Sequence, residues 1–211
     1  MDFREYRGIR GLVIAEITKD DSTTFTTGKW MELSGVQAVS KSTNESSEAH
    51  YYDNVAAIII DGEGSDEYTL TVSVLAKKTK ALIEGTYYSE TNSVLVNTPK
   101  NKKYFALGFI GEDTNGKEEI NIVYKGKFSG GNETYNTKTD GTDATGVEYT
   151  FTAIHSTFKD SLGDKALPFK SLQVEVSDAV TEEKVFGTMT AGESDKPVLK
   201  PSEIIALTKT A

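Results

Sequence analysis

The stretch that decides the fold reads Tyr104-Phe-Ala-Leu-Gly-Phe-Ile-Gly-Glu-Asp-Thr-Asn-Gly-Lys-Glu-Glu-Ile-Asn-Ile-Val-Tyr-Lys-Gly-Lys-Phe-Ser129. Its first arm, residues 104–110, is apolar on both parities, which suits a short strand covered on both faces. The second arm alternates. Ile120, Ile122, Tyr124 and Phe128 fall on one side and Glu119, Asn121, Lys125 and Lys127 on the other, a period of two that only an extended chain converts into sidedness. Between the arms, Asn115-Gly116 supplies the left-handed backbone angles of a tight hairpin turn.

Working outward, residues 11–18 form a strand, and the cluster Asp20-Asp-Ser-Thr-Thr24 turns the chain. A second strand region runs around Trp30, Met31 and Leu33 and breaks at Gly35. Residues 40–48 are a polar run that reads as a loop or a solvated edge, before strand character returns in residues 49–54 and the apolar residues 55–60. Residues 68–76 alternate most cleanly: Tyr68, Leu70, Val72, Val74 and Ala76 oppose Thr69, Thr71, Ser73 and Leu75. Residues 77–84 change period and predict the one short helix, with Leu75, Thr79, Leu82 and Ile83 on one side and Gly85 as its stop.

Residues 86–103 read as an irregular connection in which Tyr87, Tyr88 and residues 94–96 add a short strand. Residues 129–146, rich in Gly, Thr, Asn and Asp, read as a long loop. Alternation resumes in residues 147–158, where Val147, Tyr149, Phe151 and Ala153 oppose Glu148, Thr150 and Thr152. A further strand near residues 172–176 and a brief helix started within residues 177–184 by a Ser or Asp cap follow. The expected fold is mainly β with one short helix. Its expected domain is residues 1–190, with a core of about 11–176, followed by a C-terminal arm or flexible tail, residues 191–211, in which Pro197 and Pro201 interrupt regular structure and residues 204–207 anchor to a neighbour.

Composition narrows the chemistry. The 211 residues carry 32 acidic and 23 basic side chains, a formal charge of −9 that opposes ordinary nucleic-acid binding, where Lys and Arg neutralise phosphates. There is no cysteine, so neither a disulfide framework nor a thiolate metal site is available. His50 and His155 lack the spaced carboxylates of a metal site. Asp113-Thr-Asn-Gly-Lys117 shares its first positions with a calcium loop, yet Lys117 stands where an oxygen ligand is needed. No dinucleotide, phosphate-loop or nucleophile-elbow pattern occurs. The expectation is a protein without catalytic residues, metal or cofactor, and without a membrane segment, since no apolar run reaches ~18 residues.

The arm at residues 104–109, the Asn-Gly turn and the strand Ile122-Val-Tyr-Lys-Gly-Lys-Phe-Ser129 resemble the major tail protein of long-tailed bacteriophages, as do His50-Tyr-Tyr-Asp-Asn54 and residues 147–158. The resemblance covers roughly residues 30–160. It implies a tail-tube-like β-sandwich or barrel packed by a helix, with long loops and terminal arms, whose subunits close into hexameric rings. Those rings stack into the conduit for DNA ejection. It also implies a virion tail assembled in the host cytoplasm, with the tape measure protein and tail terminator as partners and DNA passing without specific binding. On that reading Thr69, Thr71, Ser73, Thr150 and Thr152 are candidates for the lumen face, and Asn44, Glu45, Tyr51, Tyr52, Asp53 and Asn54 for contacts between subunits or rings. The alternatives are a monomeric β-sandwich binding module and another tail or baseplate subunit.

Overall fold

A computed structural model of the chain describes residues 4–52, 55–62, 64–135, 137 and 146–209. In chain order the elements are β1 (Tyr6–Asp20), β2 (Phe25–Thr27), β3 (Lys29–Glu32), β4 (Val36–Thr43), β5 (Ser46–Tyr52), β6 (Val55–Gly62) and β7 (Asp66–Val72), then α1 (Lys77–Glu84), β8 (Tyr87–Ser89) and β9 (Val94–Val96). After these come β10 (Phe105–Asp113), β11 (Glu118–Asn132), β12 (Val147–Ala153), β13 (Lys159–Leu162), β14 (Lys165–Pro168) and β15 (Ser171–Glu175). The chain closes with α2 (Glu182–Phe186), β16 (Met189–Thr190), β17 (Glu193–Pro197) and α3 (Pro201–Thr208).

The fold is mainly β. One curled antiparallel sheet runs β16-β17-β3-β1-β10-β11-β12-β7-β4, with β15 added to the first half of β11 and β2 to the end of β1. The hairpin β10–β11 lies at its centre, and β10 is covered on both faces, as its two-sided apolar sequence requires. Phe105 and Leu107 enter one core with Leu12, Ile14, Leu70, Phe151 and Ile83 of α1. Ala106 and Ile110 enter the other, with Val13, Trp30, Tyr124, Phe186 and Ile204. Each fully buried large side chain contributes about 1.5–3 kcal/mol, and edge-to-face pairs such as Phe128 with Phe151, centroids 4.9 Å apart, add to this.

The turn differs from the two-residue form that Asn115-Gly116 suggests. Among the described residues only Gly116 of that pair has a positive φ, 77°, and Asp113 N–H donates to the Lys117 carbonyl, so three residues connect the strands. Asp113 Oδ1 accepts from the N–H groups of Asn115 and Lys117 at 2.8 and 2.9 Å, which makes it the organiser of the turn. A second correction concerns β11. Ile120, Ile122 and Tyr124 share one core, but Phe128 faces the other, because a register shift opposite residues 105–107 inserts an extra residue and reverses the side-chain parity.

α1 forms where its period places it and ends at Gly85, φ 69°. The face assigned to Val74 and Ala76 does not persist, because β7 ends at Val72; Val74 is exposed and Leu75 is buried. β11 also continues through Asn132, into the stretch read as loop, with Gly130 (φ 87°) paired opposite Tyr149 and Gly131 (φ 85°) in the irregularity before Asn132.

The expected C-terminal arm is corrected as well. β17 pairs with β3, Val198 is buried, and α3 docks Ile204 in the second core, so this segment belongs to the same body as the sheet. Pro201 is not an interruption here: at the first turn of α3 its missing N–H costs nothing. Asp160 receives the Ser202 N–H and hydroxyl at 2.7 and 2.8 Å, capping the helix from 42 residues away.

Candidate functional site

The hydroxyl-bearing positions converge on one surface. Ladder register sets Ser40 beside Thr69, Thr69 beside Thr150, and Thr150 beside Ser129, a row across β4, β7, β12 and β11. The next row toward one end is Ser42, Glu67, Thr152 and Lys127, and toward the other Thr71 lies beside Glu148. Because successive side chains alternate, the opposite face of the same strands carries Tyr68, Leu70, Tyr149 and Phe151 into the core. Thr69, Thr71, Thr150 and Thr152 therefore share one partly exposed face. Ser73 lies just past the end of β7, exposed, with its hydroxyl bonded to that of Ser34. The ionisable groups in these rows are Glu67, Glu148 and Lys127.

The candidate contact residues fall on a different feature. β4 pairs with β7 up to Thr43 opposite Asp66, the Asn44 N–H donates to the Ser65 carbonyl at 3.3 Å, and β5 pairs with β6 from Ser46 opposite Gly62 to Tyr52 opposite Val55. Residues 36–72 thus form one long two-stranded ribbon whose base belongs to the main sheet and whose outer half pairs only with itself among the described residues. Asn44 and Glu45 sit, exposed, where base meets outer half. The backbones of Tyr51 and Tyr52 lie at the far end; Asp53 and Asn54 lie outside the described residues.

The ribbon is held at its base by a carboxylate that the hydroxyl pattern does not reveal. Asp66, 1% exposed, lies 3.2 Å from Lys41 and 3.1 Å from Lys170, and Lys170 also donates to the Gly64 carbonyl. Two ammonium groups and their hydrogen bonds are what a buried carboxylate needs to remain tolerable. Burial and the Asp66 charge push the neighbouring Tyr68 phenol up to about 12. The sequence does contain a signal for Asp66: it shares the parity of Tyr68, Leu70 and Val72, the buried face.

β4 ends the sheet path. The curl brings it near β1, and the Leu33 N–H donates to the Leu12 carbonyl, but β4 and β1 form no ladder among the described residues, so the curl does not close. Beside the gap is a cavity of about 600 Å³ lined in part by Tyr6, Val39, Tyr68, Phe109 and Asn121, where Gln173 donates to Asn121 Oδ1 at 2.7 Å. Among the described residues no group of three or more His, Cys, Asp and Glu is placed to hold a metal ion, and no helix is long and apolar enough to cross a membrane. Compared with known proteins, the chain matches no family model and no curated protein.

Proposed function

We propose that the chain is a structural subunit that assembles with copies of itself: the major tail tube protein of a long-tailed bacteriophage, closing into hexameric rings that stack around a DNA conduit. The observation that carries this reading is the unclosed edge at β4, base of the projecting ribbon. An eight-residue edge strand exposes backbone donors and acceptors to any passing strand. Pairing with successive copies around a closed ring satisfies them without open-ended aggregation. The hydroxyl face suits a lumen wall: it offers hydrogen-bonding groups and little positive charge, and the chain's net charge of −9 disfavours phosphate adsorption, so DNA slides. The tape measure protein and tail terminator are the partners this reading supplies, in a virion tail assembled in the host cytoplasm.

Negative-stain electron microscopy of the purified chain at high concentration tests the proposal. Rings or tubes with a stain-filled centre support it; single particles the size of one chain at every concentration contradict it. The cavity of about 600 Å³ favours a second reading, a monomeric binding module that takes a small ligand in the mouth of the curled sheet. That reading predicts the single-particle outcome.

A further inference from the structure

Charge along this acidic chain is unevenly distributed. In the sequence, no Lys or Arg occurs between Lys41 and Lys77, while the stretch 44–63 holds five acids, of which Glu45 lies just before β5 and Glu48 on it. Glu45 and Glu48 are exposed, and neither forms an ion pair among the described residues. On the other side of the hydroxyl face the charge is reversed. Lys125 and Lys127 lie over the Tyr104 ring at 5.2 and 4.3 Å, and residues 100–103 read Lys-Asn-Lys-Lys. Asp20 neutralises Lys125 and Glu16 neutralises Lys103, which leaves Lys100, Lys102 and Lys127 without a carboxylate partner among the described residues. Lys102 donates to the Phe128 carbonyl at 2.7 Å; burial and then the Lys100 charge lower its pKa, the Glu84 charge opposes this, and Lys127 adds to the lowering.

The ladder fixes where these two features stand. Thr43 lies beside Asp66, Asp66 beside Ala153, Ala153 beside Gly126, and Gly126 beside Phe105. The ribbon leaves the sheet beyond Thr43 and Asp66, and Lys125, Lys127 and Tyr104 flank Gly126 and Phe105. Acidic ribbon and lysine cluster therefore occupy the same end of the sheet, separated sideways by three strand spacings, roughly 14 Å. One feature leaves the β4 border and the other lies on β10–β11 at the centre of the sheet, so a contact between them is heterologous, the kind that closes into a ring where the rotation permits.

We propose that the ribbon of one copy docks, through Glu45 and Glu48, on the Lys100, Lys102 and Lys127 cluster beside Tyr104 of the next copy. This rests on the self-assembly reading and adds a second contact to the pairing at the β4 edge. A second copy is favoured over a nucleic acid because three uncompensated lysines on a chain of charge −9 make a poor polyanion site, whereas every copy supplies the matching ribbon.

The test is a charge reversal. Glu45→Lys with Glu48→Lys, and Lys100→Glu with Lys127→Glu, are made as two separate chains and combined in a fourfold variant. All four positions are at or near the surface, and unchanged urea midpoints establish that the variants fold. Each separate reversal is expected to raise the concentration needed for assembly, read by light scattering, roughly tenfold or more. The two reversed chains mixed, or the fourfold variant, should recover assembly to within a few-fold of the original. A zero-length carbodiimide cross-link between isotopically distinct copies should join the ribbon peptide to the peptide holding Lys100 and Lys102. If the original chain assembles while the separate reversals do so at its concentration, the docking surface is overturned and the tube reading stands. A chain that never assembles overturns both. Salt-sensitive DNA binding lost in Lys100→Glu with Lys127→Glu, with assembly intact, assigns the cluster to nucleic acid and overturns the docking.

Discussion

Gly108 stands where the central sheet has no room for a side chain: a Cβ there meets the Phe186 ring at 2.6 Å and Val13 at 2.9 Å. Gly108→Ala therefore overpacks the second core and is expected to cost about 1–3 kcal/mol, measured as a lower urea midpoint at unchanged slope. A different kind of residue holds β1 to the far side of the fold. Asp20, its side chain 4% exposed, accepts from Lys125 at 2.5 Å and from the N–H groups of Thr157 and Phe158 at about 2.9 Å. Burial pushes its carboxyl up, but the Lys125 ammonium and the two N–H groups prevail and hold it below the ordinary value. A depressed folded-state pKa adds stability that is complete above the unfolded value of about 3.9 and is lost as pH falls through the folded one. Asp20→Asn should cost about 3 kcal/mol near neutral pH by leaving Lys125 buried without its partner, and urea midpoints taken from pH 6 to 2 should fall less steeply than in the original chain. Asp20 and Asp21 look alike in the sequence, as two turn formers. Only the second is one, its Oδ1 accepting from Thr23 and Thr24 N–H; what distinguishes Asp20 is a segment more than a hundred residues away.

Elements whose geometry is dictated locally were legible before any coordinates. The β10–β11 hairpin follows from alternation and a glycine turn, and α1 from a change of period and a Gly stop. Elements that depend on remote partners were not. The bulge that sends Phe128 to the opposite core is set by pairing with β10 and β12, and alternation alone cannot reveal an inserted residue. α3 reads as a tail in the sequence because Pro197 and Pro201 interrupt regular structure, yet Pro201 opens the helix and Asp160 caps it across the fold. Asp160→Ala should then destabilise by about 1–2 kcal/mol and release residues 198–208 first, seen as faster amide exchange in α3 than in β10. Of the candidate site, the hydroxyl row was legible from period two; the ribbon was not, since residues 40–48 read as a loop or solvated edge and the contact positions followed only from the resemblance. Asp66 was legible only as a position on the buried face; its partners Lys41 and Lys170, and the meeting of residues 100–104 with Lys125 and Lys127, are set by strands distant in sequence.

At the scale of the whole molecule, a curled sheet that stops short of closure among the described residues leaves β4 as a free border, the one that the proposed assembly uses. Lysines placed on such a border oppose pairing without disturbing the core. Ala38→Lys with Ser40→Lys, both on the exposed face of β4, should leave the unfolding free energy from urea titration within about 0.5 kcal/mol while suppressing assembly. The most direct measurement is mass by light scattering across a wide range of protein concentration. The account predicts species in multiples of six times the 23.0 kDa chain, growing with concentration and absent from the β4 lysine variant. A constant mass of 23.0 kDa at every concentration would contradict it.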